Sequence, residues 1–122
     1  MTLNRLTLIG FLGSDAEKKD GNNGSWTVFS VATKTSWKNK STGQWESRTE
    51  WHRCVAGGER LAAFAATLKK GAHVHVEGEL RSREYEKDGL TRKIFECRVH
   101  SILKLDRAVR EEQPNDGDDT IS

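Results

Sequence analysis

The chain has 122 residues and a mass of 13.7 kDa, with 34% hydrophobic and 31% charged residues. That is one domain's worth of material with a small core, since domains mostly run ~100–150 residues. Apolar runs are only a few residues long against the ~20 of a membrane helix. No basic-then-apolar leader follows Met1, and two cysteines, Cys54 and Cys97, make no disulfide scaffold. These features disfavour a membrane protein, a secreted mini-protein and a multidomain enzyme, and predict a soluble cytoplasmic protein. The net charge of +2 is unevenly spread. Residues 1–105 hold 18 Lys+Arg against 12 Asp+Glu, a net of +6, and residues 106–122 hold two against six, a net of −4. A basic body with an acidic tail suits a polyanion binder.

In chain order, residues 3–12 alternate, with Leu6 and Leu8 on one face and Thr7, Ile9 and Phe11 on the other, and predict a strand covered on both faces. Residues 13–24 are rich in Gly, Asp and Asn and read as turns. Residues 26–37 are dense in β-branched and aromatic types and predict a second strand. A polar loop over 38–47 leads to a third strand over 48–56. The period then changes. Leu61, Phe64, Ala65 and Leu68 fall at helical spacing within residues 59–70, with Lys69 and Lys70 in the last turn and Gly71 as the cap. Alternation returns over 72–83, a Lys87-Asp88-Gly89 turn predicts a hairpin, and residues 92–105 form the last strand. Residues 106–122 are predicted to be a mostly disordered acidic tail, which leaves 1–105 as the folded domain. Five strands with one helix between the third and fourth is the order of the all-β, five-stranded Greek-key barrel called the OB-fold. A ferredoxin-like sandwich would need a second helix. So short a barrel buries a modest core and is expected to lean on self-association.

Four tryptophans, at 26, 37, 45 and 51, are the most informative residues. Lys34, Lys38 and Lys40 surround Trp37, and Arg48, His52 and Arg53 surround Trp51. Rings set among cations suit unpaired bases, which stack on the ring while the cation neutralises the next phosphate. Trp37 and Trp45 sit in polar segments and predict surface positions, whereas Trp26 fits core and surface equally. Tyr85, after Arg81 and Arg83, repeats the pattern. The pairs His52/Cys54, His73/His75 and Cys97/His100 do not build a four-ligand zinc set, so no metal and no cofactor are expected. Glu77 and Glu79 share a strand face with His73 and His75, which fits a polar face better than acid–base machinery, and no phosphate-loop motif is present. No enzyme is predicted.

Three motifs then carry a family resemblance over residues 2–105. LNRLTLIGFLGSDAE, TEWHRCV (49–55) and LKKGAHVHVEGELRSREYEKDG (68–89) resemble, in order, segments of the bacterial single-stranded DNA-binding protein family, with Ala16 where proline is usual. The resemblance implies a sequence-tolerant single-stranded DNA binder that protects unwound strands in replication, recombination and repair, associated with the nucleoid. It implies stacking by Trp37, Trp51 and Tyr85 and phosphate contacts from Arg5, Lys34, Lys38, Arg48, Arg53, Arg81 and Arg83. Tyr85 stands where the family has tryptophan. The family's aromatic after the TEWHR segment has no counterpart in Ala56-Gly57-Gly58-Glu59, and Trp45 or Phe29 are the rings that could replace it. A homotetramer is implied, with contacts through Leu3, Leu6, Leu8 and His52. The tail keeps its acidity and Ile121 but lacks the family's closing Pro-Phe, and is where replication and repair proteins would be recruited. The alternatives are a primosome-type OB accessory protein, a hydrolase built on the His/Glu face, and RNA binding by the same rings.

Overall fold

A computed structural model describes residues 1–106. The predicted disordered tail lies, from residue 107 onward, outside the described residues. The elements are β1 (Leu6–Leu12), β2 (Glu17–Gly21), β3 (Gly24–Lys38), β4 (Trp45–Gly57), α1 (Glu59–Ala65), β5 (His73–Lys87) and β6 (Leu90–Lys104). Five of the six strands close a barrel: β1 pairs with β3 and β5, β3 with β4, β5 with β6, and β4 runs parallel to β6. This is the predicted OB-fold.

Closure depends on small residues where strands cross. A Cβ on Gly10 would meet the Ala32 carbonyl oxygen at 2.1 Å, and one on Gly78 would meet the Arg98 carbonyl oxygen at 2.1 Å. Only glycine fits at either place. Gly78 also sits at the irregularity where β5 bends against β6. The core is made of inward residues from every barrel strand, including Leu8, Leu12, Phe29, Val31, Cys54, Val74, Val76, Cys97 and Val99. Ala62, Ala65 and Leu68 are buried from the helix side, and Thr27 Oγ1 donates to the Ala62 carbonyl at 2.6 Å. Cys54 and Cys97 face each other as buried free thiols across the parallel pair. The hydrogen bond to Cys97, with burial, pushes the Cys54 thiol up.

Several expectations need correction. Residues 17–21 are not turns but an edge strand, paired from Glu17↔Val28 to Gly21↔Gly24. All five of its residues are exposed, so it has no apolar alternation to betray it. The helix ends at Ala65, not at residue 70, because Thr67 N–H and Leu68 N–H turn back to the Phe64 and Ala65 carbonyls. Phe64 lies on the exposed side of the helix while Ala62 takes the buried one. Lys70 N–H is then held by the Asp15 carboxylate at 2.8 Å. The strands are also longer than predicted. β3–β4 and β5–β6 run as hairpins to Lys38/Trp45 and Lys87/Leu90, so Trp45 belongs to a strand. Asp88 and Gly89 both have positive φ, 55° and 76°, as a two-residue hairpin turn requires. Asp106 accepts the His73 N–H at 3.1–3.2 Å.

Candidate nucleic-acid interface

The β3–β4 ribbon sets the rings. Its register pairs Ala32 with Trp51, Lys34 with Thr49, and Lys38 with Trp45, so these residues share the outward face. Trp37 pairs with Glu46 and, by the same alternation, lies on the opposite face with Thr35 and Arg48. Of the rings predicted to stack, Trp37 and Trp51 are thus on opposite faces of this ribbon, and Tyr85 stands on the β5–β6 hairpin. All are open to solvent: Trp45 is 72% exposed, Trp51 60%, Trp37 41% and Tyr85 37%. None is sealed in the barrel, and a ring must be open to receive a base. The Trp51 ring is braced from one side, because a Cβ on Gly13 would meet its Cζ3 at 2.4 Å. Phe29, weighed as a replacement ring, is 3% exposed in the core and cannot stack on anything outside; Trp45 can.

Apart from Arg5, the cations fall into three groups. Lys34 and Lys38 are exposed on the ribbon beside Trp51 and Trp45. Arg48 pairs with Glu50 at 3.1 Å and Arg81 with Glu79 at 2.9 Å, both on the surface, where such pairs contribute at most about 1 kcal/mol and exchange readily for phosphate. Arg53 and Arg83 instead converge on Glu96, and Arg98 joins them; the Nε–carboxylate distances are 3.1, 3.4 and 3.2 Å. Burial by itself would raise the Glu96 carboxyl. Hydrogen bonds from Arg53 and Arg98, with the charge and hydrogen bond of Arg83, outweigh it and hold the carboxyl below its ordinary range. Arg5 is exposed before β1, beside Glu77, Gly78 and His100, at the end of β1 away from Gly13 and the Trp51 ring. The fold does not bring it to the ring cluster.

Tyr85 pairs with Arg92 near the β5–β6 turn and shares a hollow with Leu90, Thr91 and Lys93. Further along the hairpin the Lys93 ammonium lies 5.6 Å from the centre of the Phe95 ring, which is 58% exposed. Arg92, Lys93 and Phe95 were missed by sequence reasoning, although the ring-beside-cation rule applied to Lys93-Ile94-Phe95 would have found them. Arg98 and Glu96 gave no such signal. Among the described residues no group of three or more His, Cys, Asp or Glu side chains is placed to hold a metal, and no helix is long and apolar enough to cross a membrane.

The residues expected to join subunits are divided. Leu3 is 82% exposed, but Leu8 points into the core at 6% and Leu6 packs against that core. Leu8 is therefore withdrawn as a subunit contact, because its side chain is already fully used inside the barrel. His52 is half-buried, with its Nε2 2.8 Å from Thr33 Oγ1 in a hydrogen bond. The open apolar residues of β1 are the alternate ones, Ile9 and Phe11, with Phe11 stacked on His73 at 4.3 Å between ring centres.

An OB barrel with open rings and cations on its projecting ribbon is matched by known proteins. Residues 3–105 match the Single-strand binding protein family. The chain belongs to that family. A curated relative, single-stranded DNA-binding protein 1 of Xylella fastidiosa (strain 9a5c), is 45% identical over 106 residues, covering 85% of this chain and 78% of the relative. Among solved structures, the Plasmodium falciparum SSB in complex with ssDNA superposes with a TM-score of 0.78 at 29% identity, covering 87% of this chain and 97% of that one. A deletion mutant of the single-stranded DNA-binding protein from Thermus aquaticus gives 0.72 at 28% identity, covering 85% of this chain and 51% of that one. Family membership thus agrees with the sequence motifs, and with a binding protein in place of an enzyme.

Proposed function

We propose that the protein binds single-stranded DNA without reading its sequence and protects unwound strands in replication, recombination and repair. The observation that carries this is the set of open rings, Trp37, Trp45 and Trp51, on one ribbon with Lys34, Lys38 and Arg48 between them. Every base has a flat face, so stacking supplies affinity that any sequence can use, and the cations take the phosphates. Tyr85 extends the path to the second hairpin, with Arg81, Arg83 and Arg92 nearby. Arg5 would meet DNA only where the strand continues around the barrel. No catalytic group or cofactor is needed.

The protein would work as a homotetramer in the cytoplasm, associated with the nucleoid. Open apolar side chains on the outside of β1 support the self-association. Recruitment of replication and repair proteins would fall to the acidic residues 106–122. The direct test is titration of tryptophan fluorescence with oligo-dT at low salt. Quenching is expected, with log K falling against log salt by roughly 0.7 per phosphate engaged. Absent quenching, or a salt slope near zero, would refute the assignment. Matched RNA oligomers in the same assay test whether the surface distinguishes the 2′-hydroxyl.

A further inference from the structure

A hollow of about 610 Å³ opens on the outer face where β2 and β3 meet β4, β5 and β6. One side is Trp26, which pairs with Lys19 on β2 and with Gly57 on β4. The other side is the arginine group, Arg53, Arg83 and Arg98, one guanidinium from each of three strands. None of the exposed stacking rings lines this hollow. Trp26, Lys19 and Arg98 were not among the residues predicted to touch DNA.

Two features make it a built site and not a charged surface. The first is Glu96, whose side chain is 2% exposed and whose two oxygens accept from all three arginines. One buried carboxylate under three guanidiniums leaves a local excess of two positive charges. It also fixes the guanidiniums in place. Each donates its Nε–H to Glu96. A guanidinium has five N–H donors, so each keeps donors for an anion. Lys19 adds little charge of its own, since it leans on Glu17 at 3.5 Å. The second feature is the setting of Trp26. Its ring lies against the Gly21 backbone, where a Cβ would meet Cζ3 at 2.9 Å and Cη2 at 3.0 Å. Gly57 and Gly58 line the same hollow without side chains and leave it open. A half-buried flat ring held beside guanidiniums that are held in turn is complementary to one nucleotide: a π-face and an anion at neighbouring positions.

We propose that this hollow extends the DNA path by one nucleotide subsite, in which Arg98 joins Arg53 and Arg83 on a phosphate and the adjoining base stacks on Trp26. The proposal rests on the single-stranded DNA reading. It adds a contact point on the β2–β3 side of the barrel, and it gives this chain a stacking ring where the segment after the TEWHR motif supplies none. The subsite also gives the edge strand β2 a role, since its backbone braces the ring.

The test uses the full chain and oligo-dT carrying a photoreactive 5-iodouracil at each position in turn. Cross-linking of the wild-type protein followed by mass spectrometry is expected to mark Trp26 as well as ribbon rings. Two variants accompany it. Arg98→Met keeps an unbranched chain as far as the Nε position but removes the guanidinium, and is expected to lower the salt slope by about 0.7, the loss of one phosphate contact. Trp26→Ala is expected to weaken binding about fivefold or more, the lower end of a lost stacking contact. Cross-links confined to ribbon rings, with an unchanged slope for Arg98→Met, would overturn the subsite while leaving DNA binding intact. A wild-type protein that neither cross-links nor quenches would overturn both. Because the cross-link is read on the unsubstituted protein, a Trp26→Ala variant that fails to fold does not rescue the proposal.

Discussion

Trp51 offers the sharpest test of the stacking mechanism, because the structure supplies a second way to disturb the same ring. The ring is 60% exposed, so removing it takes little from the core, and Trp51→Ala is expected to change folding stability by no more than about 0.5 kcal/mol. A stacked base loses ~1–3 kcal/mol, which is roughly 5- to 150-fold in Kd at about 1.4 kcal/mol per tenfold. Gly13→Ala leaves the indole in place chemically but intrudes on it. The new methyl would sit 2.4 Å from Cζ3 and 2.8 Å from Cη2, where carbon contacts need ~3.5–4.0 Å. The ring edge must therefore move by about an ångström or more. Gly13→Ala should weaken binding, though less than Trp51→Ala does. The double variant should bind like Trp51→Ala alone, because the methyl then has no ring to displace. Fluorescence anisotropy of labelled oligo-dT at fixed low salt measures all four proteins, and circular-dichroism melts verify folding. If Trp51→Ala binds within twofold of wild type, the ring is not a platform. If Gly13→Ala costs as much without the indole as with it, the effect does not pass through Trp51.

Three further outcomes follow from the geometry. The Glu96 carboxyl is held below its ordinary range in the fold, so its contribution to stability is full above the unfolded value near ~4.3 and is lost as pH falls through the lower folded value; Glu96→Gln should be less stable than wild type at pH 7, with the gap closing towards pH 3 in thermal melts, and a constant gap would refute the linkage. Gly10→Ala presses a methyl to within 2.1 Å of the Ala32 carbonyl oxygen, which backbone cannot yield cheaply; a loss of ~1–3 kcal/mol should lower Tm by roughly 4–8 °C for each of them, and an unchanged Tm would show that the β1–β3 closure is slack. Charging the outer face of β1 with Ile9→Lys and Phe11→Glu should reduce the mass seen by light scattering while the circular-dichroism spectrum stays native, whereas an unchanged mass would move the subunit interface elsewhere.

What the sequence made legible follows from where each kind of information resides. Alternation in residues 72–83 encodes a strand with Val74 and Val76 inside, and both are fully buried. Trp37 and Trp45 read as surface residues because both the positions one away and the positions two away hold no apolar side chain (Thr35, Ser36, Lys38, Asn39; Gly43, Gln44, Glu46, Ser47), so neither strand face carries an apolar row there. β1 defeats the same logic. With apolar residues on both faces, alternation separates Leu6 and Leu8 from Ile9 and Phe11 but cannot say which set the barrel encloses. Choosing Leu8 for the subunit contact was a choice of the wrong face. β2 was invisible for the opposite reason, since Glu-Lys-Lys-Asp-Gly has no apolar face and its strand exists through backbone pairing with β3.

The arginine site lies beyond any local pattern. Glu96 stands between Phe95 and Cys97 and resembles any outward residue of a strand. Arg53 and Arg83 lie far from Glu96 in the chain, and only Arg98, two residues on, shares its face by alternation. They meet because β4 runs parallel to β6, with Cys54 opposite Cys97 and Val55 opposite Arg98, while β5 lies antiparallel on the other side with Arg81 opposite Glu96. That arrangement is a property of barrel closure, and closure in turn depends on Gly10 and Gly78 having no side chains. A one-residue slip of β6 would turn Glu96 inward together with Arg98 and leave the Arg53 and Arg83 guanidiniums without their anchor. Where the open rings could be inferred from their neighbours in sequence, the cationic hollow is a consequence of register, and it exists only in the folded barrel.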